Sequence, residues 1–360
     1  MPQVEELRVW HVVAPLSRPY VLSFGVLHHF EAFIAVARFT DGALGFGESC
    51  PLPGYSHETA ELLTAEYTRL ARTGDVAEFL DQNRTNPFVT APLLSCLEGP
   101  APVGSTGRVE LCPILQWDHI EEIPERIAAL STTGYCVAKV KLTADLAENH
   151  TVIRRLQPAG AHVGMRFRYD ANQALTPDQA ERVTGWLDHP TTELLEQPLG
   201  VDAWDAMARL HANCPVPLML DEAIVDPDSV EQATGCADLI KLKLAKNGSP
   251  ARLGRLIGRA RELGLDVVLG NGVQTTLGCW LEAHVQSLNG LPRPGEMNGF
   301  RKLRHDPLAF LLVDRGPAVE LPPVNLERIP DLLRQWGQQE FAIPVCSAGP
   351  RSAPKTPCRG

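Results

Sequence analysis

The sequence predicts an α/β protein, a modified (β/α)8 barrel of the TIM type that follows a small α+β domain. Three observations support this fold. From Val109 onward, seven apolar strand-like segments are each followed by an amphipathic helical segment, at a spacing of roughly 20 to 30 residues. The first of these strands lacks the glycine-rich phosphate loop of a doubly wound open sheet, which is the competing fold. The first ~105 residues follow a different pattern, which indicates a separate domain.

The small domain is predicted for residues 1–107. LRVWHVVAPL and FEAFIAVARFTDGALGFGES are predicted strands with a turn at Asp41-Gly42, a dipeptide typical of hairpins. The segment HETAELLTAEYTRLARTG has helical apolar spacing and ends at a glycine, so a helix is predicted next.

The barrel is predicted for residues 108–317. Its strands and helices alternate along the chain as ELCPILQW, IEEIPERIAALSTTG, CVAKVKL, AENHTVIRRLQP, HVGMRFRYDANQ, TPDQAERVTGWLDH, ELLEQPL, DAWDAMARLHAN, VPLMLDEAI, PDSVEQATG, ADLIKLKL, SPARLGRLIGRARELG, DVVLGNG and TLGCWLEAHVQSL. Residues 318–345 break this rhythm and are predicted to return to the small domain. Residues 346–360 are proline-rich and are predicted to be disordered.

Composition excludes several classes of protein. The 360 residues carry a formal charge of -10 and no basic run, which argues against a nucleic-acid partner. No apolar run approaches the ~18 residues of a membrane span, and the N-terminus lacks the features of a signal peptide. The nine cysteines are scattered without a C-x-x-C pair. These features predict a cytoplasmic protein with reduced cysteines.

Acidic residues fall at the ends of three successive predicted strands. Asp170, Glu196 and Asp221 are spaced by about one strand–helix unit each, and strand ends are where catalytic groups lie in such barrels. Three converging carboxylates need a counter-ion, and a hard divalent cation suits them, most simply Mg²⁺ with Mn²⁺ as the alternative. The competing interpretation is that each residue caps the helix that follows it.

Lysines end the strands on both sides of these carboxylates. Lys141 follows the second strand and Lys243 the sixth, so in a closed barrel they would face each other across the metal. Lys139 and Lys241, two residues earlier, lie on the same strand faces and would help to lower the pKa of the two lysines. Opposed bases around a metal suit removal of the proton alpha to a carboxylate, with an enediolate as the intermediate. The competing interpretation is salt bridges to helix-capping acids.

The motifs VAKVKL, YDANQ, LLEQPL, LMLDEA and IKLKLAKNGS, in this order, resemble those of the enolase superfamily, in its muconate-lactonising-enzyme subgroup. The segment DGALGFGESCPLPGYSHET resembles the capping domain of o-succinylbenzoate synthases and N-acylamino-acid racemases. The resemblance runs along nearly the whole chain. It implies that the small domain is an α+β capping domain that closes over the barrel mouth.

The resemblance also implies roles for individual residues. Asp170, Glu196 and Asp221 would bind Mg²⁺, and Lys141 and Lys243 would be the acid/base pair. Lys139 would hold the substrate carboxylate, while Asn172 and Glu222 would orient the ligands. The capping loop RPYVLSFGVLHH would contact the distal part of the substrate, and its candidates are Tyr20, Phe24 and either His28 or His29. Core packing is an equal alternative for Tyr20 and Phe24.

Three segments depart from the family pattern. Dipeptide-specific members often carry Asp-x-Asp near the eighth strand, where this chain has Glu296 and Asn298 in GEMNGF. The seventh strand ends in LGNGVQTTLG, whose Asn271, Gln274 and Thr275 would bind substrate or form a turn and a helix cap. Lys241 stands where asparagine is common, which predicts a more positive site and a more acidic substrate.

These residues predict an enzyme for a small-molecule carboxylate, a racemase or epimerase or a cycloisomerase. An o-succinylbenzoate synthase, which eliminates water with the same groups, is the alternative. A non-catalytic ligand-binding relative is the remote one. The resemblance also implies a homo-oligomer.

Overall fold

The computed structural model describes residues 2–22, 25–99, 101 and 106–345. The strands are β1 (Val4–Leu22), β2 (Gly25–Phe39), β3 (Leu44–Ser49), β4 (Gly107–Glu110), β5 (Val137–Lys141), β6 (Arg166–Asp170), β7 (Thr192–Glu196), β8 (Leu218–Leu220), β9 (Leu239–Leu242), β10 (Asp266–Leu269), β11 (Val313–Asp314), β12 (Ala318–Leu321) and β13 (Gln339–Ile343). The α-helices are α1 (Ala60–Thr73), α2 (Val76–Gln82), α3 (Pro87–Leu97), α4 (Ile123–Thr132), α5 (Leu146–Val163), α6 (Pro177–Thr184), α7 (Trp204–Asn213), α8 (Pro227–Gln232), α9 (Leu244–Asn247), α10 (Pro250–Glu262), α11 (Thr276–Leu288) and α12 (Ile329–Trp336).

The small domain is an antiparallel sheet covered by helices. Its strand order is β13-β1-β2-β3, and β2 and β3 are joined at the predicted turn, where Gly42 has φ 84°. Helix α1 begins at Thr59, whose side chain accepts a hydrogen bond from the backbone of Leu62, and ends at Gly74 with φ 68°. Its Tyr67 is fully buried against the apolar face of the sheet. The last strand, β13, pairs with β1, so the two ends of the described chain meet in one sheet.

The second unit is a curled parallel sheet in the order β10-β9-β8-β7-β6-β5. Two short extended segments close it. The backbone of Glu296 donates to Leu269 of β10, and Cys112 donates to Gly295, so a segment at 295–296 joins β10 to a segment after β4. The latter segment reaches β5, because Leu115 donates to Lys139. Together the six strands and these two extended segments form a closed barrel of eight members, in which the segment after β4 is the first and the segment at 295–296 is the eighth. Helices α4 to α11 connect them along the chain.

The capping domain contacts the barrel through a buried carboxylate. Glu48, in β3, is 2% exposed and accepts hydrogen bonds from Thr275 N (2.6 Å), Thr275 Oγ1 (2.6 Å) and Gly278 N (2.8 Å). All three groups lie at the N-terminus of α11, for which Thr275 is the N-cap, and a negative charge is favourable there. A capping-domain residue therefore fixes a helix at the barrel mouth.

The strand β12 pairs with β4 and β11 in a separate three-stranded sheet, whereas β13 joins the sheet of the small domain. Among the described residues, no helix is long and apolar enough to cross a membrane.

Candidate active site

Charged residues at the strand ends point into the barrel because they continue the inward-facing positions of their strands. Leu194, Met219 and Leu239 form a buried cluster with Val268. Side chains on a strand alternate with a period of two, so the residues two positions later face the same way. Those residues are Glu196, Asp221 and Lys241. An apolar floor therefore supports a charged layer at the carboxyl ends of the strands.

The three predicted metal ligands lie on adjacent strands and are buried. Asp170 and Glu196 are register partners, and Asp221 follows the next strand, β8. Each is at most 2% exposed. The ammonium of Lys139 lies 2.7 Å from Asp170 Oδ2 and 2.6 Å from Glu196 Oε2. Because one ammonium contacts both, these two carboxylates face a common volume.

The two predicted acid/base lysines contact the outer carboxylates of this row. Lys141, the last residue of β5, donates to Asp170 Oδ2 at 2.7 Å. Lys243, just after β9, donates to Asp221 Oδ2 at 2.6 Å. Strands β6, β7 and β8 lie between β5 and β9. The lysines therefore flank the carboxylates from opposite sides, with side chains 41% and 10% exposed respectively.

Two residues that the sequence analysis did not single out complete the surroundings of Lys243. Tyr55 of the capping domain accepts a hydrogen bond from Lys243 Nζ at 2.7 Å, and its ring lies 4.5 Å from the same atom. Lys246, on α9, lies 3.0 Å from Asp221 Oδ1. Tyr55 stands inside the PLPGYSHET segment and Lys246 inside IKLKLAKNGS, so the motifs themselves were the available signal.

The charges around the carboxylates shift their pKa values in opposite directions. Burial would raise the pKa of Asp170, but Lys139 and Lys141 outweigh it and hold this pKa well below its usual value. Burial and the nearby charge of Asp170 raise the pKa of Glu196 to about 7. Both carboxylates contact two ammonium groups, but the negative charges of Asp170 and Glu296 add to burial at Glu196 and raise its pKa.

The pKa of Lys243 was expected to fall through burial, Lys241 and the metal together, and the protein groups alone give the opposite direction. Burial acts to lower it, but the carboxylates of Asp221 and Glu222 outweigh burial and raise the pKa of Lys243. Lys241 was expected to repel Lys243. It is instead held by Glu196 at 3.1 Å and by Glu296.

Glu296 reaches the charged layer from the eighth member of the barrel, the extended segment at 295–296. Its carboxylate contacts Lys139 at 2.9 Å, Arg168 at 3.0 Å and Lys241. Its backbone lies so close to Gly270 that a Cβ there would be 2.6 Å from Glu296 N, and Gly270 has φ 128°. Because Glu296 neutralises Lys241, the extra lysine does not make this layer more positive.

Asn172 and Glu222 connect the two ends of the row. Asn172 Oδ1 accepts from Lys141 Nζ at 2.7 Å, and Asn172 Nδ2 donates to Glu222 Oε1 at 2.9 Å. Asn172 has φ 41°, a left-handed conformation that asparagine tolerates better than most residues. This contact fixes the orientation of the Lys141 side chain.

The residues predicted at the end of the seventh strand make local contacts. Asn271 Oδ1 accepts from Val273 N at 3.0 Å, and Thr275 caps α11. Gln274 donates to Glu282 Oε2 at 2.7 Å. The turn and cap alternative therefore describes this segment. Glu282 was not predicted because it lies within a helix and gives no strand-end signal.

Two of the remaining predicted residues, Tyr20 and Asn298, line a cavity at the barrel mouth. The ring of Tyr20 lies 4.5 Å from Lys302 Nζ, and Asn298 donates to the backbone of Cys112 at 2.8 Å. His28 and His29 are exposed on β2. The prediction for Phe24 lies outside the described residues.

The carboxylate oxygens at this site are of the chemical type that binds a hard cation. Five ammonium groups and five carboxylates share the charged layer in the described structure: Lys139, Lys141, Lys241, Lys243, Lys246, Asp170, Glu196, Asp221, Glu222 and Glu296. Among the described residues, no three acidic, histidine or cysteine side chains are arranged as a ready metal cage. Lysine ammoniums hold the carboxylate oxygens that a metal would need. The three buried carboxylates nevertheless fit Mg²⁺ chemically, because oxygen ligands are those it prefers.

Comparisons with known proteins identify relatives of this arrangement. Residues 122–324 match the family model described as "Enolase C-terminal domain-like", which is more than half of the chain. An o-succinylbenzoate synthase of Proteus mirabilis is 25% identical over 89% of this chain and 97% of its own length. An N-succinyl-L-Arg/Lys racemase of Bacillus cereus is 23% identical over 84% of this chain and 89% of its own.

The solved structures give the same fold. The N-succinyl Arg/Lys racemase from Bacillus cereus superposes with a TM-score of 0.79 at 18% identity, covering 95% of this chain and 100% of that one. A muconate lactonizing enzyme from Pseudomonas fluorescens superposes with a TM-score of 0.74 at 22% identity, covering 95% of this chain and 99% of that one. These matches confirm the predicted barrel with its capping domain and the predicted class of enzyme.

Proposed function

We propose a function on the premise that the chain belongs to the Enolase C-terminal domain-like family and, with its relatives, to the enolase superfamily. The chain is proposed to be a Mg²⁺-dependent racemase or epimerase, or a cycloisomerase, that removes the proton alpha to a carboxylate. Lys141 and Lys243 are proposed as the acid/base pair.

One observation carries this proposal: the two lysines stand on opposite sides of a row of three buried carboxylates. Lys141 approaches from β5 and Lys243 from β9, with the strands of Asp170, Glu196 and Asp221 between them. A substrate carbon held over this row would have one ammonium or amine on each face. Two-sided access is what inversion at a carbon atom requires.

The proton transfers follow from these positions. Lys141 Nζ, when neutral, would take the alpha proton from one face of the substrate, and protonated Lys243 Nζ would return a proton to the other face. The opposite enantiomer would use the same groups with the roles reversed. Asn172 and Tyr55 would hold the two amines in place through their hydrogen bonds of 2.7 Å.

Asp170, Glu196 and Asp221 are the residues proposed to hold the divalent cation, Mg²⁺ or Mn²⁺. When bound, such an ion supplies positive charge next to the substrate carboxylate, where negative charge develops. Lys139, buried between Asp170 and Glu196, would add a fixed positive charge for the same carboxylate.

A dehydratase of the o-succinylbenzoate synthase type is the second candidate, and the asymmetry of the two lysines favours it. Lys141 is 41% exposed and Lys243 is 10% exposed beneath Tyr55. In a syn elimination one lysine would move the proton while the other would stay charged beside the developing anion.

We further propose a cytoplasmic homo-oligomer. The seven cysteines among the described residues are all free thiols, which supports a reducing compartment.

The test is deuterium exchange at the alpha carbon, followed by proton NMR in D2O with Mg²⁺. The substrates are both enantiomers of N-acylamino acids, dipeptides, proline derivatives and muconolactones. For a racemase or epimerase, Lys141→Ala and Lys243→Ala should each lose exchange of opposite enantiomers by about 10²- to 10⁴-fold. Arg315→Ala, which removes an exposed positive charge, is the matched control and should not change exchange.

Other outcomes separate the candidates. Exchange of one enantiomer, with loss of water, would favour the dehydratase. Exchange that survives EDTA treatment, or that survives both lysine substitutions, would contradict the proposal. Direct titration of Mg²⁺ into the protein tests the ligand set, and Asp221→Asn should abolish that binding.

A further inference from the structure

A cavity of about 230 Å³ lies between the capping domain and the barrel mouth. The capping domain contributes Arg18 and Tyr20 of β1 to its wall. The barrel side contributes Asn298, Arg301 and Lys302, which follow the extended segment at 295–296. No aspartate or glutamate lines it among the described residues.

Lys302 carries a charge in this cavity without a carboxylate. Its Nζ donates to the backbone oxygen of Gly272 at 2.7 Å and lies 4.5 Å above the ring of Tyr20. Within the described ranges of the chain, no carboxylate comes within 4.0 Å of this nitrogen. A largely buried ammonium without a counter-ion is costly, and an anion in the cavity would offset that cost.

The two arginines that line the cavity differ from each other in their partners. Arg301 is held by Asp314 at 2.6 Å and donates to Tyr135 at 2.7 Å, so its charge is balanced. Arg18 is exposed at the cavity rim, and no carboxylate of the described residues pairs with it. The cavity therefore presents one enclosed positive charge and one at its entrance.

The cavity adjoins the charged layer of the barrel. The hydroxyl of Tyr20 lies within electrostatic range of Lys139 and Asp170, and Lys302 lies within range of Lys141. Gly272, which binds Lys302, follows β10 by three residues. A substrate anchored over the carboxylate row could thus extend a distal group into the cavity.

We propose that Lys302 binds a distal carboxylate of the substrate, with Arg18 assisting at the entrance, so that the substrate is a dicarboxylate. This inference rests on the proposed function, because it places the reacting carboxylate at the barrel strand ends. The positive charge that selects an acidic substrate is then Lys302, since Glu296 neutralises Lys241.

The test compares two probes that differ in one charge. N-succinyl-L-alanine carries a distal carboxylate, and N-succinamoyl-L-alanine carries a neutral amide of nearly the same shape. Binding of each to the full chain with Mg²⁺ is measured by calorimetry, and alpha-proton exchange is measured in parallel. The wild type should bind the succinyl probe about 10- to 100-fold more tightly, as expected for a charge-assisted hydrogen bond.

Variants assign that preference to a residue. Lys302→Met should abolish the preference by weakening binding of the succinyl probe and leaving the amide probe unchanged. Lys302→Arg should retain most of the preference, which would show that the loss in the Met variant comes from the missing charge and not from misfolding. Arg18→Met should reduce it severalfold. Arg304→Met removes a nearby exposed positive charge outside the cavity and should leave it intact.

The two proposals fail in different ways. Equal binding of both probes by the wild type, or a preference that persists in Lys302→Met, would overturn the role of Lys302 even if exchange is observed. A Lys302-dependent preference without exchange of any substrate would support this inference and overturn the proposed function.

Discussion

The charged layer at the strand ends and the cavity around Lys302 handle positive charge in opposite ways. In the layer, five ammonium groups share five carboxylates, and each of the predicted acid/base lysines has a partner within 2.7 Å. In the cavity, Lys302 has a backbone carbonyl and a tyrosine ring but no carboxylate among the described residues. Buried charges that are paired within the protein are stable without a ligand, whereas an unpaired buried charge is stabilised by binding an anion.

The largest effect is expected from breaking the balance at Asp221. Asp221→Asn would leave the ammonium groups of Lys243 and Lys246 buried without their carboxylate. We expect loss of activity and a fall in the free energy of unfolding of about 3–5 kcal/mol. Urea denaturation at pH 7 measures the second effect. An unchanged midpoint would show that the layer is not held together by charge balance.

A smaller effect is expected when a pair is removed together. Glu296→Gln alone should destabilise the protein by about 3 kcal/mol, because Lys241 and Lys139 lose a shared partner. Adding Lys241→Met should recover part of that loss, since the buried charges leave in a pair. The exposed pair Arg315–Glu320 serves as the control, and removing it should cost less than about 1 kcal/mol. Additive losses at Lys241 and Glu296 would contradict the coupling.

The charge in the cavity should depend on pH near 8. Burial lowers the pKa of Lys302 to about 8, and the charges of Lys141 and Arg301 act in the same direction. The ammonium that binds an anion is therefore present below pH 8 and lost above it. We expect kcat/KM for the succinyl substrate, relative to its amide analogue, to fall as pH rises through 8, by up to about tenfold per pH unit.

The ratio of the two substrates is the useful measurement, because titration of the catalytic lysines affects both. In Lys302→Arg the side chain stays charged to higher pH, so the fall in the ratio should disappear. A ratio that is flat in the wild type would contradict the assignment of the anion to Lys302.

The smallest effect is expected at the contact between the capping domain and the barrel. Tyr55→Phe removes the oxygen that accepts from Lys243 Nζ and leaves the ring above it. We expect a loss of about threefold to tenfold in the transfer that Lys243 performs, the size of one hydrogen bond. Exchange of the enantiomer served by Lys141 is the internal control and should change little.

The sequence predicts the layer far better than the cavity, for a physical reason. Strand–helix alternation and the two-residue period of strands place Asp170, Glu196, Lys141 and Lys243 without any knowledge of distant contacts. Lys302 and Tyr20 meet across more than 280 positions of the chain, and neither stands at the end of a predicted strand. Nothing local in the sequence marks such a pair.

The same limit applies to charge within the layer. The motif spacing predicts the strand that carries Lys241. It does not predict its carboxylate partner, because Glu296 lies in a different barrel segment, at 295–296. The raised pKa of Lys243 follows from its contact with Asp221 and from the nearby charge of Glu222, and the folded structure is needed to show both.

The pairing of β1 with β13 has a consequence for synthesis. Leu7 lies opposite Ile343, so one edge of the first sheet is covered by a strand that is made last. Translation at about 5–20 residues per second leaves that edge open for roughly 15 to 65 s after β1 emerges from the ribosome. During this interval the nascent chain exposes an unpaired strand edge that can join a neighbouring chain on the same polysome. We therefore expect a requirement for chaperones that bind during translation, and greater aggregation when truncation removes β13.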